Sequence, residues 1–219
     1  MSVLNYMRKR FSSYLPGRGV RREAILLLFF LVSLLAKAQD EPSVQLIDDT
    51  NYIYRSVSVA MQNPEKVFRL NLSKTKLKEI PADVFKLKNL RELDLSKNRL
   101  DSVPAAIGES TNLTSLNISG NNLELLPDEL GKLANLTYLN LNRNKIVALP
   151  STIGDLSNLE ILELWDNELS GIPDQIGKLK KLKALELRGI LFSEDEAARI
   201  DSLLPNTKVF MSPTCNCKF

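Results

Sequence analysis

Histidine is absent from all 219 residues, and that one absence removes a large share of enzyme chemistry. Ser-His-Asp and Cys-His nucleophile pairs, histidine-bearing zinc sites and the commonest neutral-pH general base all require it. Phosphate-cradling loops of the form G-x-x-x-x-G-K-[ST] or G-x-G-x-x-G are missing too, so nothing suggests a nucleotide site. Cysteine is limited to Cys215 and Cys217, in a terminal C-N-C. With no C-x-x-C and no further ligands, the pair reads as tail thiols or a strained disulfide ahead of a metal or redox centre. Carboxylates remain, and Glu163 and Glu186 are the pair a glycosidase reading needs. They fall at equivalent places in successive turns, only ~5 Å apart and without cleft walls. The expectation is a non-enzymatic protein with no cofactor and no metal.

Aromatic residues make up only 6% of the chain, against 44% apolar content dominated by leucine. No apolar run reaches the ~20 residues that span a bilayer. The longest, residues 24–36 (AILLLFFLVSLLA), follows Arg8, Lys9, Arg10, Arg18, Arg21 and Arg22 and precedes Ala36-Lys37-Ala38. Basic region, short apolar region and A-x-A are the three parts of a secretory signal peptide, with cleavage expected after Ala38; Met7 offers an alternative start. Removing residues 1–38 takes away seven basic residues and one acidic residue, and the net charge moves from +3 to −3. The precursor's basicity therefore belongs to targeting and does not mark a nucleic-acid partner. The expected location is secreted, periplasmic or cell-envelope, with no stable membrane insertion once the signal is cleaved.

What the chain does have is a period. Residues 90–181 are one 23-residue unit written four times without insertion or deletion. Pro104, Pro127, Pro150 and Pro173 fall in step, as do Gly108, Gly131, Gly154 and Gly177, and Asn98, Asn121, Asn144 and Asn167. An earlier copy begins near Val67 with Pro81 in phase, and a partial last copy begins at Leu182. Units of this length bury their apolar faces by stacking on neighbours. Within each unit two leucines alternate with polar residues, the period-2 pattern of a strand with one buried face. Strands are expected at 70–72, 93–95, 116–118, 139–141, 162–164 and 185–187. Each Asn stands at the bend that follows, where its amide can satisfy stranded loop groups. Thr75 and Ile190 replace it at the two ends. The Pro is expected to start a short helical or 3₁₀ turn, and the Gly to permit a tight reversal.

The unit, L-x-x-L-x-L-x-x-N-x-L-x-x-L-P-x-x-I-G-x-L-x-N, resembles the leucine-rich repeat family in its Pro- and Gly-containing 23-residue form. The resemblance implies an α/β solenoid. Such a fold is a right-handed superhelix with a curved parallel β-sheet on its concave face and short helical or 3₁₀ turns on its convex face. The expected organisation is a signal peptide (1–38), an N-terminal lead-in and cap (39–66), repeats (67–191) and a C-terminal cap with the cysteine tail (192–219). In the lead-in, residues 56–61 suit a short helix capped by Ser56 or, by the alternation Val57-Ser58-Val59, a strand. At the far end, Ser193-x-x-Glu196 has capping-box spacing ahead of Ala197, Ile200 and Leu204, and residues 208–211 suit a last edge strand. This arrangement is similar to the C-terminal caps of secreted bacterial members of the family.

Surface remains as the carrier of function. Outward strand positions line up in columns on the concave face, and most are Ser, Asn, Asp or Glu. Tyr138, Ile161 and Trp165 break that pattern in adjacent turns, beside Asn142, Glu163 and Arg188. Exposed aromatics here resemble an anchor patch for a protein partner; the bland alternative is a Trp165 lying flat over its neighbours. A second stripe, Lys74, Lys76, Lys97, Arg99, Arg143 and Lys145, follows the bend after each strand. It reads as a solubilising edge or as a seat for an anionic partner or surface glycan. The triplet N-x-[ST] occurs at Asn71, Asn112, Asn117 and Asn135, where the repeat itself generates it.

Overall fold

Identical strands one turn apart can pair only in parallel, and they do. The structure, a computed structural model, describes residues 51–213. The expected signal peptide, the lead-in up to Thr50, and Cys215 and Cys217 lie outside the described residues. Strands β1 (Ile53–Tyr54), β2 (Arg69–Asn71), β3 (Glu92–Asp94), β4 (Ser115–Asn117), β5 (Tyr138–Asn140), β6 (Ile161–Glu163), β7 (Ala184–Leu187) and β8 (Lys208–Met211) form one sheet. Their order in the sheet is their order in the chain, and every neighbouring pair is parallel. From β2 to β7 the register advances by one repeat per strand, so Leu70, Leu93, Leu116, Leu139, Leu162 and Leu185 lie side by side.

The repeat strands begin one residue before the positions that the alternation predicts, and all but β7 end one residue before. The inter-turn bonding nonetheless continues past them: Leu95 N–H donates to Asn117 O at 2.7 Å and Lys97 N–H to Ser119 O at 2.7 Å. The second leucine of each L-x-L is therefore tied into the ladder although it lies beyond the short strand. Both leucine columns are buried, and each fully buried side chain contributes ~1.5–3 kcal/mol.

Asparagine holds each bend as expected. Asn144 Nδ2 donates to Ile118 O (3.1 Å) in the preceding turn and to Leu141 O (2.9 Å) in its own, while its Oδ1 accepts from Leu123 N–H (3.2 Å). Asn98, Asn121 and Asn167 repeat that pattern. At the first bend Thr75 supplies the end of the ladder, its N–H and hydroxyl both reaching Asn98 Oδ1.

On the opposite side 3₁₀ turns occupy Ala82–Lys86, Ala105–Glu109, Asp128–Lys132, Ser151–Asp155 and Asp174–Lys178. The prolines stand one residue ahead of them, at φ between −58° and −73°, as caps. The glycines have a different role from the one expected. None of Gly108, Gly131, Gly154 or Gly177 has a left-handed φ. A Cβ on Gly154 would stand 2.3 Å from Gln175 O, and one on Gly131 2.5 Å from Thr152 O. Gly108, Gly131 and Gly154 are glycine so that successive 3₁₀ turns can approach closely, whereas Gly177 faces Leu203 O at 3.3 Å.

The ends are closed by different means. Helix α1 (Val57–Ala60) settles the choice between helix and strand for that segment, with Ser56 at the cap position but making no side-chain cap bond. Ala60 is buried, and Tyr54, Val57 and Met61 pack against the same leucine core. Helix α2 (Glu194–Leu203) buries Ala197 and Ile200 at the far end. Only half of its capping box forms: Ser193 Oγ accepts from Glu196 N–H at 3.2 Å. The Glu196 carboxylate instead accepts from Ile172 N–H (2.9 Å) and binds Arg199, which also reaches Asp174 and Ile172 O. Those hydrogen bonds hold the Glu196 carboxyl below its ordinary pKa. The glutamate thus ties the cap to the last full repeat instead of reaching back to the Ser193 amide.

Candidate functional site

Two concave columns are organised by β-register. The first runs Ile53, Arg69, Glu92, Ser115, Tyr138, Ile161, Ala184, Lys208; the second runs Asn71, Asp94, Asn117, Asn140, Glu163, Glu186, Phe210. The second column is less free than its polar character implies. Asn71, Asp94, Asn117 and Asn140 each accept from the backbone N–H two residues on, at 2.9–3.1 Å. These are Asx turns that start the bend.

At Glu163 the pattern changes, and that change builds the site. The Glu163 side chain accepts from Asn142 Nδ2 at 2.7 Å, and Asn142 Oδ1 takes over the cap on Trp165 N–H at 2.7 Å. Asn142, Glu163 and Trp165 are thus locked together across two turns. Tyr138 and Ile161 are register partners beside them, Ile161 being 36% exposed. Asn140 Nδ2 donates to the Tyr138 hydroxyl at 3.0 Å. Burial, with the negative charges of Glu163 and Asp94, pushes the Tyr138 phenol above its ordinary pKa.

Trp165 is half-buried and does not stand free in water. The Arg143 guanidinium lies 4.3 Å from its ring centroid, a cation–π contact worth ~0.5–1 kcal/mol at such a site. The indole Nε1–H has no hydrogen-bond partner among the described residues. Arg143, assigned from sequence to the basic edge, therefore also completes the aromatic patch. Arg188 does not join it. Its guanidinium donates twice to Glu186, at 2.8 and 2.6 Å; those bonds hold the Glu186 carboxyl down. Arg188 also stands 5.9 Å from the Phe210 ring. The carboxylates Glu163 and Glu186 are thus both held by neighbours in this arrangement.

Four of the six basic-edge residues stand at left-handed bends. Lys74, Lys97 and Arg143 precede the bend residue in three of the units and take left-handed φ of 54–60°; in the same phase Asp166 (59°), Gly120 (66°) and Gly189 (78°) are left-handed too. Lys76 is left-handed too, at 62°. That conformation is uncommon for side chains other than Asn or Asp. Among the described residues none of Lys74, Lys76, Lys97, Arg99, Arg143 or Lys145 is ion-paired, whereas Arg69, Lys88, Lys178, Lys183, Arg188 and Arg199 all reach carboxylates.

Sequence reasoning missed three contributors. Strand β1 brings Ile53 to the concave face, which closes a shallow hollow of about 220 Å³ between Ile53 and Arg69 at one end and Tyr138 at the other. Strand β8 adds Lys208 and Phe210 to the columns. A two-residue strand carries no repeat signal, so only pairing could reveal β1. Among the described residues no group of three or more His, Cys, Asp or Glu could hold a metal. No helix there is long and apolar enough to cross a membrane.

Comparison with known proteins agrees with the fold. Family models described as "Leucine-rich repeat region" and "Leucine rich repeat" match residues 124–203 and residues 65–123 and 89–146 respectively. The chain belongs to the leucine-rich repeat family. Among solved structures it is similar to a leucine-rich-repeat protein of Leptospira interrogans, at 33% identity and TM-score 0.58 over 75% of this chain and 49% of that one. It is similar in fold to internalin C2 of Listeria monocytogenes, at 23% identity and TM-score 0.59 over 69% of this chain and 64% of that one. A third likeness, at 35% identity and TM-score 0.56, is to the ectodomain of the plant membrane receptor kinase GASSHO1/SCHENGEN3 from Arabidopsis thaliana. That ectodomain was solved in complex with CASPARIAN STRIP INTEGRITY FACTOR 2, and the match covers 67% of this chain and 18% of that one. The chain thus spans less than two thirds of each of these structures. No curated protein matches it. Family and fold of this kind are typically non-enzymatic scaffolds for protein interaction.

Proposed function

We propose that this is an exported binding protein that engages a protein partner through its concave face, centred on Tyr138, Ile161 and Trp165. The observation that carries the reading is the Trp165 environment: a half-buried indole, held in place by Asn142 and Glu163, with an Nε1–H unpartnered among the described residues and Arg143 across its ring. Rigid aromatic area with a polar handle is what interface anchors use. With a partner obtained by affinity capture, Trp165→Ala is expected to weaken binding by at least ~2 kcal/mol, as a central hot spot does. Melting should change little. Wild-type affinity in Trp165→Ala and Tyr138→Ala would move the site to the basic edge. Six basic side chains without an ion pair among the described residues favour that second reading, in which an anionic partner binds there. Salt separates the two, because attraction between exposed charges is screened beyond a Debye length of ~8–10 Å that shortens as salt rises, and apolar contacts are not screened.

Export rests on residues 1–38 and is supported by the extracellular character of the receptor ectodomain among the similar structures. N-terminal sequencing of the exported chain is expected to begin at Gln39. Retention of Arg21 and Arg22 would mean an uncleaved anchor.

A further inference from the structure

The larger hollow lies away from the concave face, along the side where the chain approaches each strand. It is a groove of about 610 Å³. One wall is a column of asparagines, Asn89, Asn112, Asn135 and Asn158, and the other includes Thr114 and Thr137. Two of the N-x-[ST] triplets, at Asn112 and Asn135, therefore place both of their polar residues in this groove.

The orientation of every amide is set. Each Nδ2 donates to a backbone carbonyl: Glu65 O, Lys88 O, Thr111 O and Ala134 O, at 2.7–2.9 Å. A carbonyl can only accept, so Nδ2 is the inward atom and Oδ1 the outward one. Asn158 Oδ1 accepts from Lys181 Nζ at 2.6 Å. Oδ1 of Asn89, Asn112 and Asn135 accepts from nothing among the described residues. The Thr114 and Thr137 hydroxyls likewise donate to Arg91 O and Thr114 O, at 3.1 and 2.9 Å, and keep lone pairs for a ligand. The groove is thus a row of acceptors, and each amide keeps beside its acceptor one N–H beyond the bond that orients it.

Charge and spacing narrow what fits. Arg91, 5.2 Å from the Phe68 ring, and Lys181 flank the row and oppose a cationic ligand. Glu160, which lines the groove with them, and the acceptors along its length oppose an anionic one. An extended peptide presents the N–H groups of one side every ~6.6–6.8 Å, out of step with stacked turns at ~4.7–4.9 Å. A neutral chain bearing many hydroxyl donors satisfies all three conditions. The geometry points to a neutral oligosaccharide as the ligand of this groove, its hydroxyls donating to Oδ1 of Asn89, Asn112 and Asn135, with Phe68 as the apolar wall for a terminal ring. This site shares no lining residue with the patch at Tyr138, Ile161 and Trp165.

The test is a titration of the exported full chain, labelled with ¹⁵N, against cellohexaose, chitohexaose and maltohexaose. Hexalysine and hexaglutamate serve as charged comparisons. At least one hexaose is expected to shift the side-chain amide resonances of Asn112 and Asn135 in a saturable way, and neither peptide should. The double variant Asn112→Ala/Asn135→Ala is expected to lose at least tenfold in affinity, whereas Trp165→Ala should bind as wild type. Thr137→Lys, which places a cation in the groove while keeping every asparagine, should also lose binding and covers the case of a poorly folded double variant. Silence of the groove amides with all three sugars would overturn the inference. So would saturable binding of either peptide there, or wild-type affinity in both groove variants.

Discussion

Leu139→Ala is expected to lower the stability of the chain by ~2–5 kcal/mol, the range for emptying a fully buried leucine site. Leu139 has no exposed surface and lies between Leu116 and Leu162 in adjacent strands. Those neighbours cannot slide into the space, because each is fixed by ladder bonds one turn to either side. The loss therefore includes most of the cavity cost as well as the transfer cost. A urea melt should show the midpoint falling with little change in slope. An unchanged midpoint would show that the central turns are not packed as described.

Gly154→Ala is expected to cost ~1–3 kcal/mol, the range for overpacking a tight interior. Its added Cβ would meet Gln175 O at 2.3 Å and Gln175 Cβ at 2.9 Å, and a backbone carbonyl can yield only by moving the next turn. Gly177 makes the internal comparison. There the nearest atom is Leu203 O at 3.3 Å, so Gly177→Ala should be close to neutral. Melts of the two variants side by side decide the matter: equal losses would return the glycines to a conformational role.

Much of this fold was legible because the leucine phases and the asparagines are direct consequences of stacking. A strand needs a buried face, and a bend needs its amides satisfied, so both leave a period in the sequence. The glycines were legible in position but not in purpose. Spacing shows that a Cβ is disfavoured at Gly154, but whether φ or a neighbouring carbonyl is the reason depends on the next turn's path. Glu196 shows the same limit. Ser-x-x-Glu spacing describes one helix end, whereas its carboxylate had Ile172 N–H within reach from the preceding repeat. At the site, Tyr138 and Ile161 could be paired from the period alone. The stacking of Arg143 on Trp165 could not, because the left-handed bend at Arg143 decides where that side chain goes.

The uniform register has an evolutionary corollary. From β2 to β7 each strand meets the next without a bulge or slip, so one whole unit can be duplicated or deleted in the gene and the remaining ladders still match. Every such event would lengthen or shorten the concave sheet by one strand spacing, ~4.7–4.9 Å. An event between β1 and Trp165 would also move Trp165 relative to β1 by the same step. Reach across a partner can therefore be tuned in whole strands, with the core chemistry left untouched.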